Sequence, residues 1–216
     1  MIKIVIIDDH PLMRKGLAMS LESEADIRVA AQAASAEDGL GIIEAEDPDL
    51  VVVDISLPGM SGIELVKQVQ AIRPEMKTLV VSRHDEALYA ERAIRAGAKG
   101  YVMKLEAPDV MIKAVRRVMN GGIYVSEKVN ERLLMGMVSG NELLSQSPLD
   151  VLSDRELEVF ELTGKGFGTR EIAERLHLSV KTVESYRARI KTKLNLSNAA
   201  ELMQHAVQWV EGERAG

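Results

Sequence analysis

The sequence predicts a doubly wound α/β domain with five parallel strands, followed by a small all-α domain of four helices. Two observations predict the first domain. Short β-branched runs alternate with segments of helical apolar spacing, and the runs are apolar throughout, as strands buried on both faces of a parallel sheet are. One observation predicts the second domain. Two short helical segments flank a tight turn near residue 178, and this arrangement is typical of a helix-turn-helix.

Each element of the first domain follows from its local pattern. The predicted strands are 3–7, 27–30, 50–53, 78–81 and 100–102, and the predicted helices are 12–21, 36–46, 62–71, 86–96 and 108–119. Ser35 with Asp38, and Ser61 with Glu64, have the spacing of capping boxes, at which helices begin. In such a domain the carboxyl ends of the strands form one edge, and ligands bind there.

Composition narrows the function classes. The chain has 216 residues, of which 46% are hydrophobic and 28% charged, as in globular domains with ordinary cores. The absence of cysteine excludes disulfides, a thiol nucleophile, zinc-thiolate sites and iron–sulfur clusters. No apolar run approaches the roughly 20 residues that span a bilayer, and the first strand meets two aspartates at once, unlike a signal peptide. We therefore expect a cytoplasmic protein with no membrane partner.

Polar residues stand where the predicted strands end. Strand one ends in Asp8-Asp9, strand three in Asp54, strand four in Ser82, and strand five shortly before Lys104. Carboxylates about 4 to 5 Å apart repel by a few kcal/mol, so the cluster needs a cation or raised pKa values. Mg²⁺ prefers one or two carboxylates together with waters and phosphate oxygens. The edge therefore predicts a site for Mg²⁺ and a phosphate group.

Asp54 is the candidate nucleophile at this edge. A carboxylate can attack phosphorus and form an aspartyl phosphate if a metal and an amine neutralise the incoming charge. We expect the turn-rich segment 57–62 to let backbone groups approach, Lys104 to pair with one phosphate oxygen, and Ser82 to donate a hydrogen bond to another. Taken singly, each of these residues is better explained as a turn or surface residue. The whole set, placed at matching strand ends, is better explained as a phosphate site.

Residues 1 to about 120 resemble the receiver domain of two-component response regulators, which has a flavodoxin-like fold. The resemblance rests on Asp8-Asp9, Asp54 with Leu57-Pro58-Gly59, Ser82, Gly97-Ala98-Lys99-Gly100-Tyr101 and Lys104. It implies that a sensor histidine kinase phosphorylates Asp54. It also implies that Mg²⁺ lies on Asp9, Asp54 and the main-chain carbonyl of Ser56, with Asp8 helping through water. Ser82 and Tyr101 would form a switch pair, although Tyr101 can also be an ordinary packed aromatic residue.

Three residues beside this set have two interpretations. Arg83 and His84 follow Ser82 and are large, so they could gate water at the phosphorylated site, but a solvated loop is the favoured interpretation. His10 is favoured as a structural residue over a phosphate carrier, because Pro11 indicates the start of a helix.

The predicted domain boundaries follow from composition. The first domain covers 1–122 and ends at a pair of glycines, and the polar segment 123–149 reads as a linker with a short helix at 127–138. The second domain covers 150–212. Its first helix begins at the capping-box pair Ser153 and Glu156, and later helices are predicted at 169–176, 180–194 and 198–210.

The helix at 180–194 carries five basic side chains against one acidic one, a net charge of +4. Its apolar stripe is Val183, Ile190 and Leu194, with Tyr186 beside it. The candidate DNA-binding residues lie at its start, on its opposite face and on its flanks: Ser179, Lys181, Thr182, Glu184, Ser185, Ala188, Arg189, Lys191 and Thr192. A solvated helix surface is the alternative, but the surrounding helix-turn-helix favours DNA.

Residues 152–210 resemble the four-helix DNA-binding domain of LuxR and NarL regulators. The resemblance rests on Leu152-Ser153 with Arg155-Glu156, Glu171-Ile172-Ala173 with Leu176, and Leu178-Ser179 with Lys181-Thr182-Val183-Glu184. The domain order is that of the NarL/FixJ class. It implies a transcription regulator that binds double-stranded DNA, and a homodimer when phosphorylated. The chain departs from many relatives at Glu184, where they have lysine.

Three other functions would each explain part of the sequence. A phosphatase that uses Asp54 in turnover lacks a second aspartate at position 56, where Ser56 stands, and leaves the second domain unexplained, so no enzyme is expected. A ligand-sensing DNA-binding protein of the quorum-sensing kind is disfavoured, because the acidic edge does not resemble a lipid-like pocket. A regulator with an idle receiver does not need the full acidic set.

Overall fold

The computed structural model describes residues 1–106, 108–138 and 148–214, which form two compact units, Met1–Gly140 and Asn141–Gly216. The first unit contains one five-stranded sheet with the order β2-β1-β3-β4-β5, in which every pairing is parallel. Its strands are β1 Ile2–Ile7, β2 Ile27–Ala33, β3 Leu50–Val53, β4 Lys77–Ser82 and β5 Tyr101–Met103. The predicted doubly wound α/β fold is therefore confirmed.

Helices cover both faces of the sheet. They are α1 Pro11–Glu22, α2 Ala36–Glu46, α3 Gly62–Ile72, α4 Glu86–Arg95 and α5 Pro108–Met119. Alternate residues of β1 enter opposite cores, because successive side chains of a strand point to opposite faces. Ile4 and Ile6 pack in one core with residues of α1 and α5, whereas Val5 and Ile7 pack in the other with residues of α2 and α3. The near-continuous apolar strands thus reflect burial on both sides.

The segment after Gly122 folds back onto the outer edge of β5. The Tyr101 backbone N–H donates to the Tyr124 carbonyl at 2.8 Å, and the Tyr124 N–H donates to the Lys99 carbonyl at 3.0 Å. A sixth helix of this unit, α6 Glu127–Val138, then packs on α4. The first unit therefore extends beyond residue 122, into the segment predicted as a linker. The predicted short helix at 127–138 is present, and residues 139–147 of that segment lie outside the described residues.

The second unit is helical in its described part. After a short 3-10 turn at Pro148–Val151 come α7 Asp154–Gly164, α8 Thr169–Arg175, α9 Val180–Lys193 and α10 Ala199–Arg214. Ser153 and Glu156 form the predicted capping box at the start of α7. Phe160, Ile172, Val183 and Ile190 are among the fully buried side chains, so α7, α8 and α9 share one core. The predicted small all-α domain with a helix-turn-helix region is confirmed.

Candidate functional site

The sheet brings the acidic residues of β1 and β3 together. Ile7 is paired with Val53, so the next residue of each strand, Asp8 and Asp54, leaves the sheet at the same edge. Both side chains are buried, and Lys104 Nζ lies 2.6 Å from Asp8 Oδ2 and 2.7 Å from Asp54 Oδ2. One buried ammonium group thus joins two buried carboxylates.

The charges in this cluster do not balance. Asp9 adds a third carboxylate, and one oxygen from each of Asp8, Asp9 and Asp54 lies within 4.8 Å of the others, so three carboxylates face one ammonium group and leave a net charge of −2. At 4.8 Å, two carboxylates repel by about 3 kcal/mol at an effective dielectric constant of about 20. A donor set that consists mainly of carboxylate oxygens, with the His10 ring as its fourth group, fits a hard divalent cation.

The pKa of the Asp54 carboxyl is raised above its ordinary value. Burial is the main cause, because it disfavours the charged form, and the nearby negative charge of Asp8 acts in the same direction. The ammonium group of Lys104 opposes both. A cation added to the cluster would therefore favour the ionised, nucleophilic form of Asp54.

The loop after β3 approaches Asp54 closely. The Gly62 N–H donates to the Ile55 carbonyl at 2.8 Å, and a Cβ atom on Gly62 would lie 1.8 Å from the Asp54 carbonyl oxygen. No other residue fits there without a shift of the loop. Gly59, with φ +69°, provides the left-handed turn earlier in the loop. The turn-rich sequence therefore lets the end of this loop pack closely against the Asp54 backbone.

Ser82 and Tyr101 are both connected to His84. The His84 N–H donates to Ser82 Oγ at 3.2 Å, and the Tyr101 hydroxyl donates to the His84 carbonyl at 2.7 Å. The His84 ring lies 4.4 Å from the Tyr89 ring, and its Nε2 is 2.8 Å from Ser56 Oγ. The favoured interpretation of a solvated loop is thus wrong for His84, although the Arg83 side chain is exposed. Control of water by either residue stays a prediction.

The second candidate surface is α9, whose cap and burial follow its sequence. Ser179 Oγ accepts the Thr182 N–H at 3.0 Å and begins the helix. Val183 and Ile190 are buried and Leu194 is half-buried, so the predicted apolar stripe faces the core. Most predicted DNA-binding residues are exposed and two are half-buried. The exposed ones are Ser179, Lys181, Glu184, Ser185, Ala188, Arg189 and Thr192, and the half-buried ones are Thr182 and Lys191.

Two of the five basic side chains of α9 bind within the second unit. Arg187 donates to Thr169 Oγ1 at 2.9 Å, and Lys193 donates to Glu156 Oε2 at 2.6 Å. The charged groups of Lys181, Arg189 and Lys191 form no hydrogen bond or ion pair with the described residues, although the Arg189 guanidinium lies 5.8 Å from the centre of the Tyr186 ring. A shallow concavity of about 320 Å³ on this face is lined by Ser179, Lys181, Thr182, Ser185, Tyr186 and Arg189.

Comparison with known families identifies the family to which each of the two units belongs. Residues 4–116 match the family model of the response regulator receiver domain, and residues 150–206 match that of the bacterial regulatory proteins of the luxR family. The chain belongs to the LuxR-type response regulators. As such it is a transcription regulator of a two-component system, a family that is not an enzyme class, and the receiver implies a divalent metal site.

This response regulator is similar to characterised proteins over nearly its whole length. It is 36% identical over 210 residues to the oxygen regulatory protein NreC of Staphylococcus haemolyticus. The matched region covers 95% of this chain and 97% of that protein. The NreC of Staphylococcus epidermidis is 37% identical over 211 residues, with the same coverage. RcsB of Salmonella enterica serovar Typhimurium, solved bound to the promoter rprA with the phosphomimetic BeF₃⁻, has a TM-score of 0.62 and 25% identity and covers 95% of this chain and 98% of its own.

These comparisons support DNA, a kinase and a second subunit as partners of this response regulator in general terms. Among its described residues, no helix is both long and apolar enough to cross a bilayer.

Sequence reasoning considered His84 but favoured a solvated loop for it, and so did not predict its contacts with Ser56, Ser82 and Tyr101. The only signal was its position, two residues after a strand end that belongs to the functional edge. Sequence reasoning also did not separate Arg187 and Lys193 from the other cations of α9, although their places on the helix distinguish them. Both lie nearer the apolar stripe than Lys181 or Ala188 does.

Proposed function

We propose that this response regulator is switched by phosphorylation of Asp54, and that the switch controls dimerisation and sequence-specific binding to DNA. The observation that carries the proposal is the cluster of Asp8, Asp9 and Asp54 around Lys104, which combines a buried nucleophile, an excess of negative charge and one fixed cation. A transcription regulator must reach the chromosome in order to bind it, so the proposal includes a cytoplasmic location.

The phosphoryl group comes from a histidine of the sensor kinase. Lys104 holds Oδ2 of Asp54, which leaves Oδ1 to attack the phosphorus. An O–P bond forms, the N–P bond to the kinase histidine breaks, and the departing imidazole takes up a proton. Lys104 then pairs with a phosphate oxygen instead of the carboxylate, and Ser82 Oγ donates to another.

Mg²⁺ is the proposed cofactor. Asp9, Asp54 and the carbonyl of Ser56 would hold it, and Asp8 would act through water. When bound, it neutralises charge on the transferred phosphoryl group. The excess negative charge of the cluster supports this assignment.

The switch reaches α6 through contacts of the β4–α4 loop. When the Ser82 hydroxyl turns to the phosphate, the hydrogen bond from the His84 N–H is lost and the loop shifts. The first turn of α4 follows this loop. It is bound to the α6 region by Ser126 Oγ, which donates to Glu86 at 2.7 Å, and by Arg132, which donates to the Ala87 carbonyl at 2.7 Å. A shift of α4 therefore loosens α6.

In the DNA complex α9 enters the major groove. Arg189 and Lys191 reach phosphates on the two sides, while Glu184, Ser185 and Ala188 meet the base edges. The other groups at the DNA would be Ser179, Lys181, Thr182 and Thr192. Pairing of two subunits gives sites with two-fold symmetry.

The deciding experiment compares the wild type with Asp54→Asn after incubation with acetyl phosphate and Mg²⁺. We expect intact mass spectrometry to find one added phosphoryl group in the wild type and none in Asp54→Asn. DNA affinity, measured at several salt concentrations, should rise only for the wild type.

The matched control is Asp109→Asn, because Asp109 is an exposed acid outside the cluster. It should behave as the wild type. Equal phosphorylation of Asp54→Asn, or tight DNA binding by both proteins with no response to acetyl phosphate, would overturn the proposed switch.

A further inference from the structure

Two loops at the acidic edge are joined through their side chains. Ser56 lies two residues after Asp54 on the loop that follows β3, and His84 lies two residues after Ser82 on the loop that follows β4. These strands are neighbours in the sheet, so the two loops leave it side by side. His84 Nε2 is 2.8 Å from Ser56 Oγ, which is a hydrogen-bond distance. One side-chain hydrogen bond therefore links the two loops.

Three further contacts hold His84 in place. Its backbone N–H donates to Ser82 Oγ at 3.2 Å, and its carbonyl accepts the Tyr101 hydroxyl at 2.7 Å. Its ring lies 4.4 Å from the ring of Tyr89, which is fully buried. Because the imidazole is already fixed in direction, it loses little conformational entropy when it bonds to the serine. Either ring tautomer allows the bond, since a serine hydroxyl can donate or accept.

The bond fits only one position of the β4–α4 loop. In the proposed function Ser82 turns to the phosphate, the hydrogen bond from the His84 N–H is lost, and the loop shifts. Ser56 does not follow, because the end of its own loop packs closely against the Asp54 backbone at Gly62. The shift therefore separates Nε2 from Oγ. A hydrogen bond of ordinary net strength favours the unshifted loop by a factor of about two to ten.

We propose that the hydrogen bond between Ser56 and His84 restrains the β4–α4 loop and so slows the phosphorylation of Asp54. This inference rests on the proposed function, because it needs the loop shift. The side chains of Ser56 and His84 are positioning groups, since they act through the loop and not on the reacting atoms. The bond between them sets how often the loop reaches the position in which Ser82 can bind the phosphate.

The test uses variants of the full chain that remove the bond and keep its surroundings. Ser56→Ala removes the hydroxyl, and His84→Phe removes Nε2 but keeps a ring beside Tyr89 and both backbone contacts. Without a phosphoryl donor, amide hydrogen exchange in peptides that cover residues 83–89 should be about two to ten times faster in each variant. With acetyl phosphate and Mg²⁺, the rate of phosphorylation, followed by intact mass spectrometry, should rise by a similar factor. The double variant should match each single variant, because both remove the same bond.

Two controls accompany these variants. Ser56→Thr keeps a hydroxyl group and Arg83→Ala alters an exposed side chain of the same loop, so both should behave as the wild type. Unchanged exchange and rate in Ser56→Ala and His84→Phe would overturn the inference. Effects that multiply in the double variant, or an equal change in Arg83→Ala, would also overturn it.

Two more outcomes separate the inference from other roles of the site. A changed lifetime of the phosphoryl group, with unchanged loop exchange and phosphorylation rate, would show that His84 controls water instead and would overturn the inference. Faster loop exchange in the variants, with no phosphorylation of any protein including the wild type, would overturn the proposed function and leave the restraint of the loop standing.

Discussion

Glu184 is the one acidic residue on a helix surface otherwise made of cations, hydroxyls and a methyl group. Its side chain is exposed on α9 between Lys181 and Ala188. A carboxylate at this place repels phosphates but can accept a hydrogen bond from the N4 amino group of cytosine. The residue is therefore suited to selecting a base rather than to raising affinity.

Replacement of Glu184 by alanine should relax base preference at one base pair of each half-site. The loss of discrimination should be about 1 to 3 kcal/mol at that position, because one base contact is removed. Affinity for unrelated DNA should rise, since a negative charge leaves the interface. The measurement is binding to a set of sites in which each base pair is varied in turn.

Glu211→Ala is the control for this prediction, because Glu211 is an exposed acid on α10. It should leave the base preference unchanged. If wild type and Glu184→Ala each bind all variants of every position equally, Glu184 does not read a base.

At the scale of elements, one ion pair joins the start of α7 to the last turn of α9. Lys193 donates to Glu156, which also accepts the Ser153 N–H at 2.7 Å in the capping box. Burial alone would raise the pKa of the Glu156 carboxyl, but the hydrogen bonds from Lys193 and Ser153 outweigh it and lower the pKa below its ordinary value. Glu156 is therefore more acidic in the folded than in the unfolded chain.

The stabilisation from Glu156 should depend on pH. A lowered folded pKa means that the stabilisation is present above the unfolded pKa, near 4.5, and is lost as the pH falls through the folded value. Glu156→Gln should lower the free energy of unfolding of the second unit by about 1 to 2 kcal/mol at pH 7, because the ion pair is lost. The gap between the two proteins should narrow below pH 4.5.

Tryptophan fluorescence can follow this unfolding in the full chain, because the one tryptophan, Trp209, packs edge-on against Phe160 in the second unit. Glu174→Gln, at an exposed position on α8, is the control and should match the wild type at both pH values. A stability difference that does not vary with pH would contradict the assignment.

The contact of α6 with α4 gives a second prediction at this scale. In the wild type, phosphorylation should speed amide hydrogen exchange in α6, because the first turn of α4 moves away from Arg132 and Ser126. In Arg132→Ala the exchange should already be fast and should respond little to phosphorylation. Hydrogen exchange with mass spectrometry measures both.

Glu131→Ala provides the comparison, because Glu131 is exposed on the same helix. Its exchange should resemble that of the wild type. Unchanged exchange of wild-type α6 after phosphorylation would show that the switch does not reach this helix.

The elements themselves could be predicted from the sequence, whereas the packing of α6 on α4 could not. Apolar runs and capping residues depend on neighbours in sequence, so β1, β3 and α9 lie close to the predicted ranges. The meeting of Asp8, Asp54 and Lys104 was also predictable, because parallel strands end at one edge. The packing of α6 on α4 depends instead on side chains distant in sequence, and no local pattern signals it.

At the scale of the whole molecule, the proposal predicts a change of oligomeric state. Phosphorylated wild type should sediment as a dimer, whereas Asp54→Asn should stay a monomer under the same conditions. The dimer should bind paired half-sites about one helical turn apart, and an insertion of about 5 base pairs should weaken binding strongly because it turns one half-site to the opposite side of the DNA.

Analytical ultracentrifugation and binding to a series of spaced sites measure these two outcomes. An insertion of about 10 base pairs is the control, because it restores the facing of the half-sites. Equal affinity for all spacings would contradict paired binding.

The backbone bridge from Tyr124 to the outer edge of β5 also bears on solubility. A strand with unpaired N–H and carbonyl groups invites another chain to add to it, and this is a common route to aggregation. Here the segment that follows Gly122 occupies that side. A fragment that ends at residue 122 would expose the edge of β5 and would be prone to aggregate. Fragments of the first unit for work in solution should therefore extend to residue 138.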